Sequence, residues 1–203
     1  FGLTTGAAEL ITSFGSKELQ ETYATKMFAG DWQGTMALTE PHAGSSLGDI
    51  YTSAVEQPDG SYKIKGQKIF ISAGDHDGVD NVVHLMLAKI EGGPIGSKGI
   101  SLFVVPNFRP ENGNLVHNDV VAAGFENKMG MKGCPIVHLV MGDKDDCHGW
   151  LVGEPHNGLR YMFQMMNSAR ISVGMMSTAL SSAAYYASLE YANERPQGRT
   201  HSN

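Results

Sequence analysis

Met36-Ala37-Leu38-Thr39-Glu40-Pro41-His42-Ala43-Gly44-Ser45 is a short apolar run that ends in a hydroxyl and a carboxyl and is then broken by Pro41 and Gly44. Read as a strand entering a Pro/Gly turn, it gathers several backbone N–H groups and the Thr39 and Ser45 hydroxyls around one ligand edge. Such an arrangement is a generic cradle for an anion or a heterocycle. The same ten residues also read as an ordinary strand followed by a turn, and residue chemistry alone leaves both readings open.

Around this string the apolar periodicity changes twice. Over residues 1–30, Leu3, Ala7, Leu10, Ile11 and Phe14 recur at helical spacing, and Leu19, Tyr23, Met27 and Phe28 resume it after a break at Gly15. This predicts two short helices. Over residues 31–150 the apolar runs are short, rich in Val and Ile, and bounded by Gly, Pro, Asn and Asp: 35–38, 62–64, 68–72, 82–88, 99–105, 115–121 and 136–141. Such runs predict a β-barrel or sandwich, with Pro58-Asp59-Gly60 as the clearest hairpin turn. From Gly158 to Arg195 the chain is rich in Met and Ala, with Leu159, Met162, Phe163, Met166, Ile171, Met175 and Leu180 at mixed three- and four-residue steps. That predicts one long helix, or two with a kink near Gly174, apolar on more than one side and in need of partners. The expected fold class is α+β: a central antiparallel β-barrel or sandwich flanked by N-terminal helices and by a long C-terminal helical segment of a helix bundle.

Composition excludes several functions. Charged residues are 18% of the 203, and the formal net charge is −6, which argues against a nucleic-acid partner because phosphate binding needs a basic face. No apolar stretch approaches the roughly 20 residues of a membrane span, and the N-terminus lacks a signal-peptide pattern. A cytoplasmic protein is expected, in a bacterial cytosol or a mitochondrial matrix. Cys134 and Cys147 have no metal-type spacing, so neither a metal site nor a disulfide framework is expected. His76 in Asp75-His76-Asp77-Gly78 and the run Asp143-Lys144-Asp145-Asp146-Cys147-His148 read as surface turns, since neither has a second ligand cluster. The absence of an initiator Met and the abrupt end after a helical stretch point to a fragment whose function belongs to a parent chain.

The full string 36–45 resembles the acyl-CoA dehydrogenase signature, small-apolar-Thr-Glu-Pro-x-Ala-Gly-Ser, which joins the first strands of that family's middle β-domain. Gly66-Gln67-Lys68-Ile69-Phe70-Ile71-Ser72-Ala73-Gly74 is similar to the family's second flavin-contacting strand, where an aromatic, an aliphatic and a hydroxyl residue precede a turn with Gly. Gly99-Ile100-Ser101-Leu102-Phe103-Val104-Val105-Pro106, Met129-Gly130-Met131-Lys132-Gly133 and Leu151-Val152-Gly153-Glu154 follow in the family's order. The similarity covers nearly the whole chain. It makes residues 1–30 the end of an N-terminal helical domain, 31–150 the middle β-domain and 151–203 the start of a C-terminal helical domain. Within the family, Thr39-Glu40-Pro41-His42 and Ser72-Ala73-Gly74-Asp75-His76-Asp77 look most like the branch that includes 3-methylmercaptopropionyl-CoA dehydrogenases.

The resemblance implies FAD as cofactor and an acyl-CoA as substrate. The backbone of Met36, Ala37, Leu38 and Thr39 and the Thr39 hydroxyl would face the pyrimidine edge of the flavin, where donors already in place favour the negative charge that develops as the ring accepts hydride. Phe70, Trp in many relatives, would lie against the isoalloxazine with Ile71 beside it, and Ser72 would donate near the reactive flavin nitrogen. Gly44 and Ser45 would lie at the cofactor, with Ser45 touching both the FAD phosphate region and acyl-CoA. Ser46 stands where the family usually has Asp, a departure that bears on loop geometry. Asn167-Ser168-Ala169-Arg170 matches the helical stretch that reaches acyl-CoA through Asn167 and Arg170, while Arg195 with Gln197 resembles the element that touches FAD across a subunit interface. Without the resemblance, Phe70 reads as core, Ser72 as a strand-end hydroxyl, Arg170 as a buried charge in a structural ion pair, and Arg195 as a solvated helix end.

The family reaction takes an α-proton from an acyl-CoA thioester while the β-hydride passes to flavin, giving the 2,3-enoyl-CoA. It needs a carboxylate at the α-carbon. In most members that Glu lies beyond the region matching Arg195, and in some branches it precedes the helix Arg, where this chain has Ala169. The chain is therefore expected to bind but not to catalyse. The family also implies a homo-oligomer, dimer or tetramer, and an electron-transfer flavoprotein as acceptor. Two alternatives stay open: an acyl-CoA oxidase-like member, and a non-catalytic flavin-binding or assembly module, including a DNA-associated branch.

Overall fold

The N-terminal apolar stripe forms helix α1 (Gly2–Phe14), with Ala7, Ala8, Leu10 and Ile11 buried, in the computed structural model, which describes residues 2–199. The break falls where expected: the Gly15 amide closes on the Ile11 carbonyl at 2.7 Å, and the Ser16 hydroxyl caps the next segment by accepting from the Leu19 amide. That segment runs through α2 (Lys17–Leu19), a π turn (Gln20–Ala24) and α3 (Thr25–Ala29), and buries Leu19, Tyr23, Ala24 and Met27. Phe28, expected on the same stripe, is 58% exposed. It follows Tyr23 by five residues, which places it about 140° round a helix from that side chain. Helix α1 lies on Gly34 of the first strand, where an added Cβ would stand 2.7 Å from the Ala7 methyl.

Among the described residues ten strands follow: β1 (Gln33–Ala37), β2 (Ser53–Glu56), β3 (Tyr62–Ser72), β4 (Val82–Ile90), β5 (Ile100–Pro106), β6 (Phe108–Glu111), β7 (Asn114–His117), β8 (Val120–Phe125), β9 (Ile136–Met141) and β10 (His148–Leu151). Five of them close a ring, with β4 beside β5, β5 beside β10, β10 beside β3, β3 beside β2, and β2 back beside β4. β1 adds to β4, β9 and β8 extend from the second half of β3, and β6 pairs with β7 as a separate ribbon. The ladders are antiparallel except β1 with β4 and β2 with β4, which are parallel. The α+β barrel expectation is thus borne out. The barrel interior is Ala54, Tyr62, Ile64, Met86, Ala88, Phe103 and Val105, joined by Ile71, Val137, Leu139 and Met141 from the β3–β9 extension.

The strand limits differ from the sequence reading in instructive places. Runs 62–64 and 68–72 are one strand, because Lys65 and Gln67 occupy its exposed face and leave the inward alternation intact. Run 115–121 splits at Asn118, whose side-chain amide turns inward to donate to the Pro106 and His148 carbonyls. The short polar strands β2, β6 and β10 carried no apolar run to find. The hairpin at Pro58-Asp59-Gly60 joins β2 to β3 as expected.

The first compact unit extends to Met165, and a second begins at Met166. Helix α4 (Gly158–Glu194) straddles that division. In the second unit its side chains, including Ile171, Met175, Leu180, Tyr185 and Tyr186, are exposed. No helix of the described residues is long and apolar enough to cross a membrane.

Several polar groups lie wholly inside the first unit, Thr35, Thr52, Lys68, His84, Ser101 and Asn118 among them. His84 of β4 is 0% exposed, with Nδ1 2.6 Å from Thr35 Oγ1 and Nε2 2.8 Å from Asn107 Oδ1. Burial pushes its pKa from the ordinary 6.5 down to about 4, against the smaller opposing effect of the Asn107 hydrogen bond. The folded chain therefore keeps this ring neutral while the unfolded chain takes up a proton below pH 6.5. The stabilisation is complete above pH 6.5 and is lost as pH falls toward 4. Urea unfolding across that window is expected to show a loss on the order of 3 kcal/mol attributable to His84, and His84→Gln is expected to flatten that part of the profile.

Candidate functional site

β1 ends at Ala37, and the residues after it are tied to β3 rather than to β4. The Leu38 carbonyl accepts from Lys68 Nζ at 3.0 Å, and the Thr39 carbonyl accepts from the Ile69 amide at 2.9 Å. These contacts lay residues 38–40 along residues 68–72, so the two strings singled out in the sequence form one seam. Beyond Glu40 the chain turns, with the Glu40 and Ala43 backbones exchanging hydrogen bonds at 2.8 and 3.1 Å. A Cβ on Gly44 would stand 3.4 Å from Thr39 Cγ2, so the turn folds back over Thr39.

The seam is built on a buried ion pair. Lys68 is 0% exposed, and its ammonium donates to Glu40 Oε1 at 2.9 Å. The same oxygen accepts from the Thr52 amide at 3.0 Å and the Thr52 hydroxyl at 2.5 Å, while Oε2 accepts from the Tyr51 amide at 2.6 Å. Burial raises the Glu40 pKa, but the Lys68 charge and these hydrogen bonds together outweigh it and hold the carboxyl below the usual carboxylate range. Burial pushes Lys68 down to about 8, with Glu40 opposing. Both groups remain charged at neutral pH. Gly66 permits the arrangement: a Cβ there would come 2.5 Å from Thr52 Oγ1 and 2.8 Å from Thr52 Cα. Outside the pair, His42 stacks on Tyr51 with ring centres 3.9 Å apart and donates through Nε2 to the Asp49 carbonyl. Glu40, Pro41, His42, Tyr51, Thr52, Gly66 and Gln67 line a cleft of about 280 Å³ there.

A bulge sets the exposed side of the seam. Lys68 and Ile71 both point inward although they are three residues apart, and the pairing of β3 with β9 shifts between them. Phe70 absorbs the extra residue at φ 60°, in the left-handed region, and its ring is 57% exposed. A bulky residue held there costs on the order of 1 to 3 kcal/mol, which the surrounding ladder must offset. The residues expected at the cofactor fall into three groups. Met36, Thr39 and Ser72 are half-buried, whereas Phe70, Gly44 and Ser45 are exposed. Ala37, Leu38 and Ile71 are buried, with Ala37 and Ile71 in the barrel core, which leaves their backbones for ligand contact.

The remaining candidates lie in the second unit. Arg170 donates to Asn167 Oδ1 at 3.2 Å, one turn earlier on α4. Arg195 donates to the Tyr191 hydroxyl at 2.7 Å and stands 5.8 Å from that ring's centre, while Gln197 lies exposed past the helix end. Arg170 is exposed rather than buried among the described residues. The run 143–148 is also more than a surface turn. Asp146 pairs with Arg109 at 3.0 Å, His148 starts β10 with Nδ1 3.1 Å from Ser61 Oγ, and Cys147 is buried. His76 does sit in a turn, where Nδ1 accepts from the Gly78 amide at 3.1 Å.

Sequence reasoning gave no role to Lys68, Thr52, His84 or the Glu40 side chain. A signal for Lys68 was present: with Tyr62 and Ile64 it falls on the inward parity of β3, where a Lys demands a buried partner.

Residues 35–144 match the family model for the acyl-CoA dehydrogenase middle domain. The chain is 45% identical over 206 residues to a butyryl-CoA dehydrogenase of Syntrophomonas wolfei, covering 97% of this chain and 34% of that protein. It is 43% identical over 199 residues to a 3-methylmercaptopropionyl-CoA dehydrogenase of Ruegeria pomeroyi, covering 97% of this chain and 33% of that protein. Among solved structures, butyryl-CoA dehydrogenase from Megasphaera elsdenii superimposes with a TM-score of 0.74 at 25% identity, covering 98% of this chain and 49% of that one. The chain spans about a third of the length of these curated relatives.

Removing one partner of the seam's ion pair strands the other charge in the interior. Lys68→Met is expected to cost about 3 to 5 kcal/mol in urea unfolding at pH 7, and the Lys68→Met/Glu40→Gln double variant is expected to recover a large part of that loss.

Proposed function

The chain belongs to the acyl-CoA dehydrogenase family, and from that premise we propose that it forms the cofactor- and substrate-facing middle part of an enzyme that oxidises an acyl-CoA thioester to the 2,3-enoyl-CoA. The observation that carries this reading is the seam between residues 38–40 and 68–72, which brings together the two strings that hold the exposed Phe70 ring and the half-buried Thr39 and Ser72. These residues suit FAD: Phe70 offers an apolar face that the bulge holds in the open, and Thr39 and Ser72 offer donors beside it. When bound, FAD supplies the acceptor for the two electrons removed from the acyl chain.

The chain's own residues bind and orient. In this proposal the backbone of residues 36–39 and the Thr39 hydroxyl hold the flavin's pyrimidine edge, Phe70 and Ser72 hold its ring, and Gly44 gives the phosphate region a close approach. Arg195 and Gln197 complete the FAD site of a neighbouring subunit in a homo-oligomer. Ser45, Asn167 and Arg170 hold the acyl-CoA, and an electron-transfer flavoprotein receives the electrons. The two curated relatives named above carry short acyl groups in their names, so a short acyl-CoA is the substrate proposed. Proton abstraction is not assigned to this chain. Glu40, the carboxylate of the seam, is committed to one ammonium, one hydroxyl and two amides and is held in its ionised form with a lowered pKa, which makes it a poor base. Ala169 offers a methyl where some branches place the carboxylate.

Titration of FAD into the chain, followed by flavin absorption and fluorescence, is expected to saturate in the wild type and to weaken about tenfold or more in Thr39→Val and in Ser72→Ala, each of which removes a hydrogen bond to the ligand. A parent protein that purifies without flavin and does not take it up would overturn the reading. The isolated chain is expected to show no turnover of butyryl-CoA with an artificial electron acceptor, and sustained turnover would show that the base lies within it.

A further inference from the structure

Resting on that reading, we propose that His84 is a positioning residue for the cofactor seam: as a neutral imidazole protonated at Nε2, it links Thr35, just ahead of residues 36–39, to Gly74, just past residues 70–72, and fixes the spacing of the two segments.

The hydrogen-bond pattern determines the direction of the bridge. Asn107 Nδ2 lies 3.4 Å from both the Gly74 carbonyl and Asp75 Oδ1, two acceptors, so its amide nitrogen faces them and its oxygen faces His84. That oxygen, 2.8 Å from Nε2, requires the ring proton there. Nδ1 is then an acceptor and takes the Thr35 hydroxyl at 2.6 Å. Asn107 is itself anchored, its backbone N–H donating to the Val82 carbonyl at 2.8 Å. A charged ring would present two donors, so that Thr35 would have to accept from Nδ1 and turn its own proton elsewhere, and would place a charge in a site with no exposure to water. The lowered pKa agrees with this but is not needed for it.

The far end of the bridge grips the place where the cofactor segment is most in need of support. After Ser72 the backbone enters the left-handed region at Ala73, φ 50°, with its amide donating to the Pro135 carbonyl at 2.7 Å. Gly74 is closely seated, since a Cβ there would stand 2.5 Å from Val137 Cγ2 and 2.9 Å from Ile71 Cγ2. A shift of Gly74 therefore moves Ile71 and with it Phe70 and Ser72. At the opposite end the seam is held by Lys68 on the Leu38 carbonyl. The two devices act on different ends of the same pair of segments, and neither occupies the exposed side where Phe70 stands.

The test uses the 203-residue chain with FAD as the probe. Long-range proton–nitrogen spectra of the free chain are expected to show His84 protonated at Nε2 and bare at Nδ1, and the reverse tautomer overturns the bridge. His84→Leu is expected to weaken FAD about tenfold, the loss that follows when a supporting buried hydrogen bond is removed, and to speed amide exchange at Ala73 in the free chain. Leu102→Ala, a buried substitution on β5 opposite Leu87 rather than His84, is expected to lower the melting temperature without changing FAD affinity or Ala73 exchange. If His84→Leu does not fold, Thr35→Val replaces it, with a smaller change in the same direction. Unchanged affinity and unchanged Ala73 exchange in folded variants overturn the positioning role and leave the functional reading intact. A wild-type chain that binds no FAD, with a parent that also binds none, overturns the functional reading, and the Ala73 exchange then decides whether His84 holds the segment.

Discussion

The buried contact between Lys68 and Glu40 is the constraint on which the seam depends. Two opposite charges are expensive to bury, and the attraction between them offsets that cost only when every remaining donor and acceptor is placed. Here the placing is done by Thr52, by the Tyr51 amide and by the Leu38 carbonyl. Tyr51 and Thr52 belong to one stretch of chain and Leu38 to another. The pair thus ties the chain just past β1 to the start of β2 and the middle of β3, which are already joined to each other by their ladder, and it reinforces the bond from the Ile69 amide to the Thr39 carbonyl.

That arrangement explains why β3 changes character along its length. Its first half is an ordinary barrel strand, with Tyr62 and Ile64 inward and β2 and β10 beside it. Its second half must present Lys68 inward to Glu40 and also return Ile71 to the core, and an even alternation cannot do both. The bulge resolves the conflict by placing the extra residue, Phe70, in the left-handed region. An aromatic side chain in that conformation is strained, and strain of this kind persists where the surroundings over-determine it. The exposed ring is thus a consequence of the core's demands and, in the proposed function, the surface against which a ligand lies.

Much of the fold was legible because its carriers are patterned. The helical stripe from Ala7 to Met27, the hairpin at Asp59-Gly60 and the apolar runs of β4, β5 and β9 follow from spacing alone. The short strands β2, β6 and β10 were not legible, because each takes its place from its neighbours rather than from an apolar run of its own. In the candidate site, spacing could not show that the string from Met36 to Ser45 lies against residues 68–72, since that meeting is made by groups distant in sequence, the Leu38 carbonyl on Lys68 and the Thr39 carbonyl on the Ile69 amide. Lys68 was overlooked for a related reason: its parity is visible only once residues 62–72 are read as one strand. His84 sits in an otherwise apolar run, Val82-Val83-His84-Leu85-Met86, and a buried histidine on its own does not name its partners.

The two internal devices differ in charge, and their positions make that difference intelligible. At the Glu40 end the groups to be joined include two backbone amides and a carbonyl from separate segments, and a full carboxylate and a full ammonium can each serve several such partners at once. At the His84 end only one hydroxyl and one amide must be linked across the width of β4, and a neutral imidazole does this with a donor at one nitrogen and an acceptor at the other. A second ion pair there would add a large desolvation cost for no additional partner. Because both devices are turned inward, the exposed Phe70 ring and the half-buried Thr39 and Ser72 side chains are not consumed in holding the fold. Their spacing is set from behind, which is the condition for a binding edge to be rigid before its ligand arrives.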